Sequence, residues 1–149
     1  MQLTTLRSSG RVAVVLGGGR ILTLDLLAGL APAELSSEIA AMSLAAILAV
    51  DPDLERIRRA LAAAEPNALA AAALDPATVR MGAPIPRPAK AIGVGYNYLD
   101  HIREQGLERP VRPVLFSMFA NAVVAGGDPI RRPAGTHALD LEEIGRAHV

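Results

Sequence analysis

The chain has 149 residues, 51% of them hydrophobic, with 15 basic and 15 acidic side chains that cancel to zero formal charge. That is enough for one modest domain with a core; charge balance excludes the basic surface of a nucleic-acid binder, and positive mean hydropathy excludes a disordered chain. The absence of cysteine removes disulfides, thiolate nucleophiles and Cys-ligated metal centres, and 3% aromatic content leaves little for base stacking or aromatic cages.

No nucleic-acid or membrane partner is therefore expected. The start, Met1-Gln2-Leu3-Thr4-Thr5-Leu6-Arg7, has no basic region followed by an apolar run. The most apolar stretch, residues 39–50, is shorter than the roughly 18 residues of a spanning helix. The expectation is a cytoplasmic protein.

Along the chain, residues 11–16 are apolar and β-branched, Gly17-Gly18-Gly19 frees a turn, and residues 20–25 alternate, which predicts a hairpin. The glycine triplet is not followed by Gly-Lys-Ser/Thr, so a phosphate loop is the poorer reading. Ser36 or Ser37 can cap a helix reaching about Ala49. Asp51-Pro52 reads as an N-cap with proline at the first helical position, ahead of Leu54, Ile57 and Leu61 on one face and an arginine-rich solvated face opposite. Glu65-Pro66 ends that helix, and residues 68–74 have helix propensity but little volume to bury. Nothing in this half carries obvious chemistry.

Composition breaks between residues 76 and 88, where Pro84, Pro86 and Pro88 alternate and force extended backbone. Residues 1–80 are expected to form a first domain, 81–90 a linker, and 91–143 the start of a second. Residues 91–95 read as a strand ending in glycine. Asn97 is placed to cap a short helix over 98–105, with Asp100 at its third position and Gly106 just past its end. Residues 114–116 and 122–124 suggest short strands, Gly126-Gly127-Asp128-Pro129 a turn, and 137–142 the start of another strand.

Two constellations could carry chemistry. In His101-Ile102-Arg103-Glu104 the outer residues are helix neighbours, so a carboxylate can hold the imidazole and raise its basicity. In Asp140-Leu141-Glu142 two carboxylates share one face of a strand, which suits a hard divalent cation. Each has a plainer reading: a His-x-x-Glu pair is as a rule solvated or capping, and acidic strand residues commonly mark an edge. Gly93-x-Gly95 is no dinucleotide fingerprint, since Tyr98 takes the place of its third glycine.

Together these residues form a more specific pattern. The run Ile92-Gly93-Val94-Gly95-Tyr96-Asn97-Tyr98-Leu99-Asp100-His101-Ile102-Arg103-Glu104 resembles the opening of the catalytic domain in the fumarylacetoacetate hydrolase family. Pro113-Val114-Leu115-Phe116, Gly127-Asp128-Pro129-Ile130 and Leu139-Asp140-Leu141-Glu142 follow in that family's order. The strand–turn–strand start and Met81-Gly82-Ala83-Pro84-Ile85-Pro86-Arg87-Pro88 resemble its N-terminal domain and linker.

The resemblance implies an α+β protein: a small N-terminal α/β domain, then the start of a mainly-β mixed sandwich roll that is incomplete here. It implies an enzyme acting on a small keto or dicarboxylic acid by C–C hydrolysis, decarboxylation or keto–enol isomerisation, as in aromatic catabolism, and a homodimer at full length. His101 would be the base, Glu104 its orienting partner, and Tyr96, Asn97 and Tyr98 substrate-binding. Glu142 would be the first glutamate ligand of a divalent cation, usually Mg2+, otherwise Mn2+ or Ca2+, with Asp140 not a usual ligand. A metal-bound oxygen can store the charge of the enolate that such reactions form.

Three departures stand out. Met118 replaces a lysine that in many members helps hold a substrate carboxylate. Ile144 stands where the second glutamate is expected. The closing Ile144-Gly145-Arg146-Ala147-His148-Val149 resembles one reading frame of a sequencing adapter, so natural sequence is expected to about Glu142, with 144–149 foreign. On this reading the chain is a C-terminally truncated fragment, inactive as written. The alternative is a non-catalytic fragment or binding module.

Overall fold

β1 (Gln2–Leu6), β2 (Val12–Val15) and β3 (Ile21–Thr23) join a short β4 (Met81–Gly82) in one antiparallel sheet of order β3-β2-β1-β4. This is a computed structural model, and it describes residues 1–139. Two units are distinguished: one holds residues 1–86 with 124–126, the other 87–123 and the described residues from 127.

The predicted hairpin is β2–β3, with Val14 opposite Leu22 and the three glycines in a single 3-10 turn between the strands. Its second strand stops at Thr23, not Asp25. Leu24, Leu27, Ala28 and Ala31 recur at helical spacing and are all buried, so the chain turns into α1 (Leu24–Leu30). β1, which has no strong local signal, takes the inner position because Leu3 and Thr5 register against Val14 and Val12.

The single helix expected to reach Ala49 is two. Ser36 caps α2 (Ser37–Ala40), and Ser43 starts α3 (Leu44–Val50) by accepting from the Ala46 amide at 3.3 Å. A second serine cap inside an alanine-rich run explains the break. Asp51 does cap the next helix, but from a distance. Residues 51–54 turn first, Leu54 adopts a left-handed φ of 56°, and α4 (Glu55–Ala63) begins after it. The Asp51 carboxylate accepts from the amides of Glu55 and Arg56 at 2.9 and 3.0 Å. Pro66 ends one helix and opens another, α5 (Pro66–Ala72), at the position where its missing N–H costs nothing.

One sheet face, with Val12, Val14 and Leu22, packs on Leu24, Leu27, Leu35, Leu44, Ile47 and Ile57. The other face, with Leu6, Ala13 and Ile21, is covered by Leu74 and Val79. Ile21 and Leu74 exchange both backbone hydrogen bonds, at 3.0 and 2.7 Å. The proline-alternating stretch begins as β4, where a side chain at Gly82 would meet Thr5 Oγ1 at 2.8 Å.

In the second unit β5 (Ala91–Gly95) pairs antiparallel with β6 (Val114–Met118), Gly93 opposite Phe116. The Phe116 ring lies over Gly93 so closely that a Cβ there would be 2.2 Å from it. α6 (Leu99–Glu104) lies between the two strands in sequence. The strand expected at 122–124 does not form; residues 120–122 make a 3-10 turn, an apolar run too short to hold extended form without a ladder partner. Residues 137–139 belong to no strand, and the rest of that expected strand lies outside the described residues.

The architecture is mixed α plus β with small sheets, as expected. No helix among the described residues is long and apolar enough to cross a membrane.

Candidate active site

α6 follows a backbone feature that spacing did not anticipate. Tyr96, just after β5, has φ of 53°, a left-handed conformation that costs a non-glycine residue strain and recurs at functional positions. Tyr98 is then extended and stands at the N-cap, so Asn97 does not cap the helix and Asp100 is its second residue. The Asp100 carboxylate accepts from the His101 amide at 3.0 Å. At the other end Gly106, with φ of 67°, lets its own N–H reach the Arg103 carbonyl and the Leu107 N–H reach that of Ile102, both at 3.0 Å. This is the two-bond glycine stop that the sequence predicts.

His101 and Glu104 come together on α6. Nδ1 of the imidazole is 3.8 Å from Glu104 Oε2, with half of the His101 side chain and 81% of Glu104 exposed. That separation is an ion-pair distance, longer than a hydrogen bond. The other ring nitrogen, Nε2, is 3.0 Å from Nε2 of Gln105. Gln105 is the neighbour that sequence reasoning missed; its signal is the i+4 spacing from histidine, common enough on helices to pass unnoticed.

A cleft of about 280 Å³ opens beside the helix. Tyr96 and Asn97 line it, as do Leu99 and Ile102 of α6 and the loop residues Arg109 and Arg112. His101, Glu104 and Tyr98 do not. At about 100° per residue, Leu99 and Ile102 fall on one side of α6, and His101, Glu104 and Gln105 on the other. The structure thus divides the expected site: two of the three substrate-binding candidates, Tyr96 and Asn97, line the cleft, and the His101–Glu104 pair does not. Arg109 and Arg112, in a loop without periodicity, had no signal.

Glu142 and Asp140 lie outside the described residues. Among those described, no three His, Asp or Glu side chains gather as a cation site. The described residues alone therefore do not supply the oxygen donors a hard cation needs.

Residues 90–145 match the model of the fumarylacetoacetate (FAA) hydrolase C-terminal domain. Oxaloacetate tautomerase FAHD2A, mitochondrial, of Bos taurus is 40% identical over 89 residues, 60% of this chain and 26% of its own length. The human protein of that name is 39% identical over 85 residues, 57% of this chain and 25% of its own. A protein of Burkholderia ambifaria named as a hydrolase is 38% identical over 81 residues, 49% of this chain and 29% of its own. The chain thus spans about a quarter of the length of these curated relatives. A solved structure of an HpcE protein from Mycobacterium smegmatis superposes with a TM-score of 0.56, over 91% of this chain and 42% of that one, at 24% identity. That likeness is one of fold.

Proposed function

From the premise that this chain belongs, through residues 90–145, to the fumarylacetoacetate hydrolase family, we propose that it serves keto–enol chemistry on a small keto or dicarboxylic acid. The observation that carries the reading is the His101–Glu104 pair on α6 inside the matched stretch. Tautomerisation needs a group that takes a proton from carbon beside a carbonyl and a group that returns one to oxygen. An imidazole does the first through a bare ring nitrogen. A carboxylate next to the other ring nitrogen orients the ring. The relatives named as oxaloacetate tautomerases make this the first reaction to try; C–C hydrolysis, in which the same acceptor takes a proton from water, comes next, and then decarboxylation, which instead needs a proton delivered to the enolate left behind.

Glu142 is proposed as one ligand of Mg2+, or of Mn2+ or Ca2+, and the full-length protein as a cytoplasmic homodimer. One observation favours a second reading. The cleft with Tyr96 and Asn97 is on the other side of α6 from the pair, which suits a binding module that holds an acid without converting it.

The test is conversion of enol to keto oxaloacetate, followed by the fading enol absorbance. It is run on a full-length gene product carrying this stretch, with the 149-residue chain alongside. The full-length protein is expected to turn over and the chain to be silent, since the chain spans only about a quarter of the length of the relatives named for the activity. His101→Ala in the full-length protein is expected to lower the rate at least about a hundredfold, the usual contribution of a general base. A rate untouched by His101→Ala overturns the enzyme reading; acid binding that survives the substitution while turnover never appears establishes the binding module.

A further inference from the structure

The imidazole of His101 has a neighbour at each nitrogen, and the two neighbours constrain one another. Gln105 Nε2 lies 3.0 Å from ring Nε2, and Glu104 Oε2 lies 3.8 Å from ring Nδ1. An amide nitrogen only donates, so the ring nitrogen it meets offers a lone pair. A neutral imidazole carries one proton; with Nε2 bare, that proton stands on Nδ1, the atom facing the carboxylate. Both contacts suit the same tautomer. Turning the amide over would point its oxygen at an Nε2–H and leave the Nδ1 lone pair facing the Glu104 carboxylate, the electrostatically poorer arrangement even at 3.8 Å.

We infer that Gln105 is a positioning residue for His101: its amide fixes the ring and keeps the basic lone pair on Nε2, holding the place that a proton-bearing ligand takes. Gln105 is itself fixed. It is the C-cap of α6, and the following turn is locked by the 3.0 Å bonds from Gly106 to Arg103 and from Leu107 to Ile102. The Asp100 carboxylate, the other acid beside the histidine, accepts from the His101 backbone amide and leaves the ring to its two partners. That Nε2 is the proton-accepting atom rests on the reading of His101 as a base; the tautomer does not.

The experiment is nitrogen NMR of the 149-residue chain labelled with 15N-histidine, at alkaline pH, with His101→Ala identifying the resonance among the three histidines. The proton is expected on Nδ1. Gln105→Ala is expected to lower the Nδ1–H to Nε2–H ratio about fivefold, what one neutral hydrogen bond is worth. Gln105→Leu keeps the bulk without the donor, so the ratio is expected to fall as far as in Gln105→Ala. A native ring protonated on Nε2, a ratio unmoved by Gln105→Ala, or a Gln105→Leu ring like the native one overturns the inference. Because the ring is read directly, none of these outcomes depends on whether His101 turns over substrate.

Discussion

In the first unit Val12, Ile21, Leu22, Leu24, Leu27, Leu35, Ile47 and Ile57 are wholly enclosed, and both faces of the four-stranded sheet are covered from within the unit. In the second, Ile102 is the one large apolar side chain enclosed among the described residues, while Ile92, Leu115 and Phe119 stand 59, 62 and 80% exposed. The strands of the second unit are as apolar as those of the first, so composition does not separate them. What separates them among the described residues is supply of partners: the first sheet shares a cluster with buried apolar residues of α1, α2, α3 and α4, whereas β5 and β6 form a two-stranded ladder, marginal in water by itself. The His101–Glu104 pair sits in this second unit, on a helix anchored by Ile102 and a glycine-locked end. Parts that act on ligands are commonly drawn from such less enclosed regions.

The largest effect that separates the units is in the first core. Ile47, on α3, is fully enclosed in the cluster that also holds Val12, Val14 and Leu22 of the sheet. Ile47→Ala is expected to cost about 2–5 kcal/mol, the lost transfer energy plus the cavity left behind. Urea unfolding followed by far-ultraviolet circular dichroism measures it, and a loss under about 1 kcal/mol would mean that the unit's core is not closed.

A smaller effect tests the link between α3 and α4. Asp51, only 8% exposed, satisfies two amides at the start of α4. Asp51→Ala strands both donors and is expected to cost about 1–2 kcal/mol, read from the same urea curves. Asp51→Asn, which keeps one acceptor oxygen, is expected to recover part of this.

These elements show where the sequence was legible. The β2–β3 hairpin, the Ile57 face of α4 and the Gly106 stop were each written in a local code: alternation, helical spacing, a residue free to take positive φ. Caps were recognised as residue types but misplaced, because a carboxylate such as Asp51 can reach amides four and five residues on, and because Ser43 competes with alanine propensity. β1 was invisible, since its partners are distant in sequence and its inner place depends on register with β2. At the site, His101 and Glu104 were legible because helix neighbours are fixed by spacing. Tyr96 and Asn97 reached the cleft, but the side of α6 that meets it is decided by which apolar residues, Leu99 and Ile102, find cover. Gln105 and the loop arginines carry no pattern that sets them apart from ordinary solvated residues.

The smallest effect bears hardest on the comparison. Leu115 pairs across the ladder with Val94 and is 62% exposed, on the opposite sheet face from Phe116. Its neighbours on that face are Ile92, 59% exposed, and Val94, 37% exposed. If the face is open in solution, Leu115→Ser removes little burial and leaves the ladder's backbone bonds alone. Serine loses some strand propensity, but the change at an open surface site is expected to stay within about 0.5 kcal/mol. The same substitution at the enclosed Leu22 would bury a hydroxyl in a vacated core site, which is why the two units respond differently to one chemical change. Leu115→Ser is measured by urea unfolding and by hydrogen exchange of the β5 and β6 amides. A cost above about 1 kcal/mol, or exchange in β5 that accelerates on substitution, would show that something covers this face in solution, and the second unit would then be enclosed like the first.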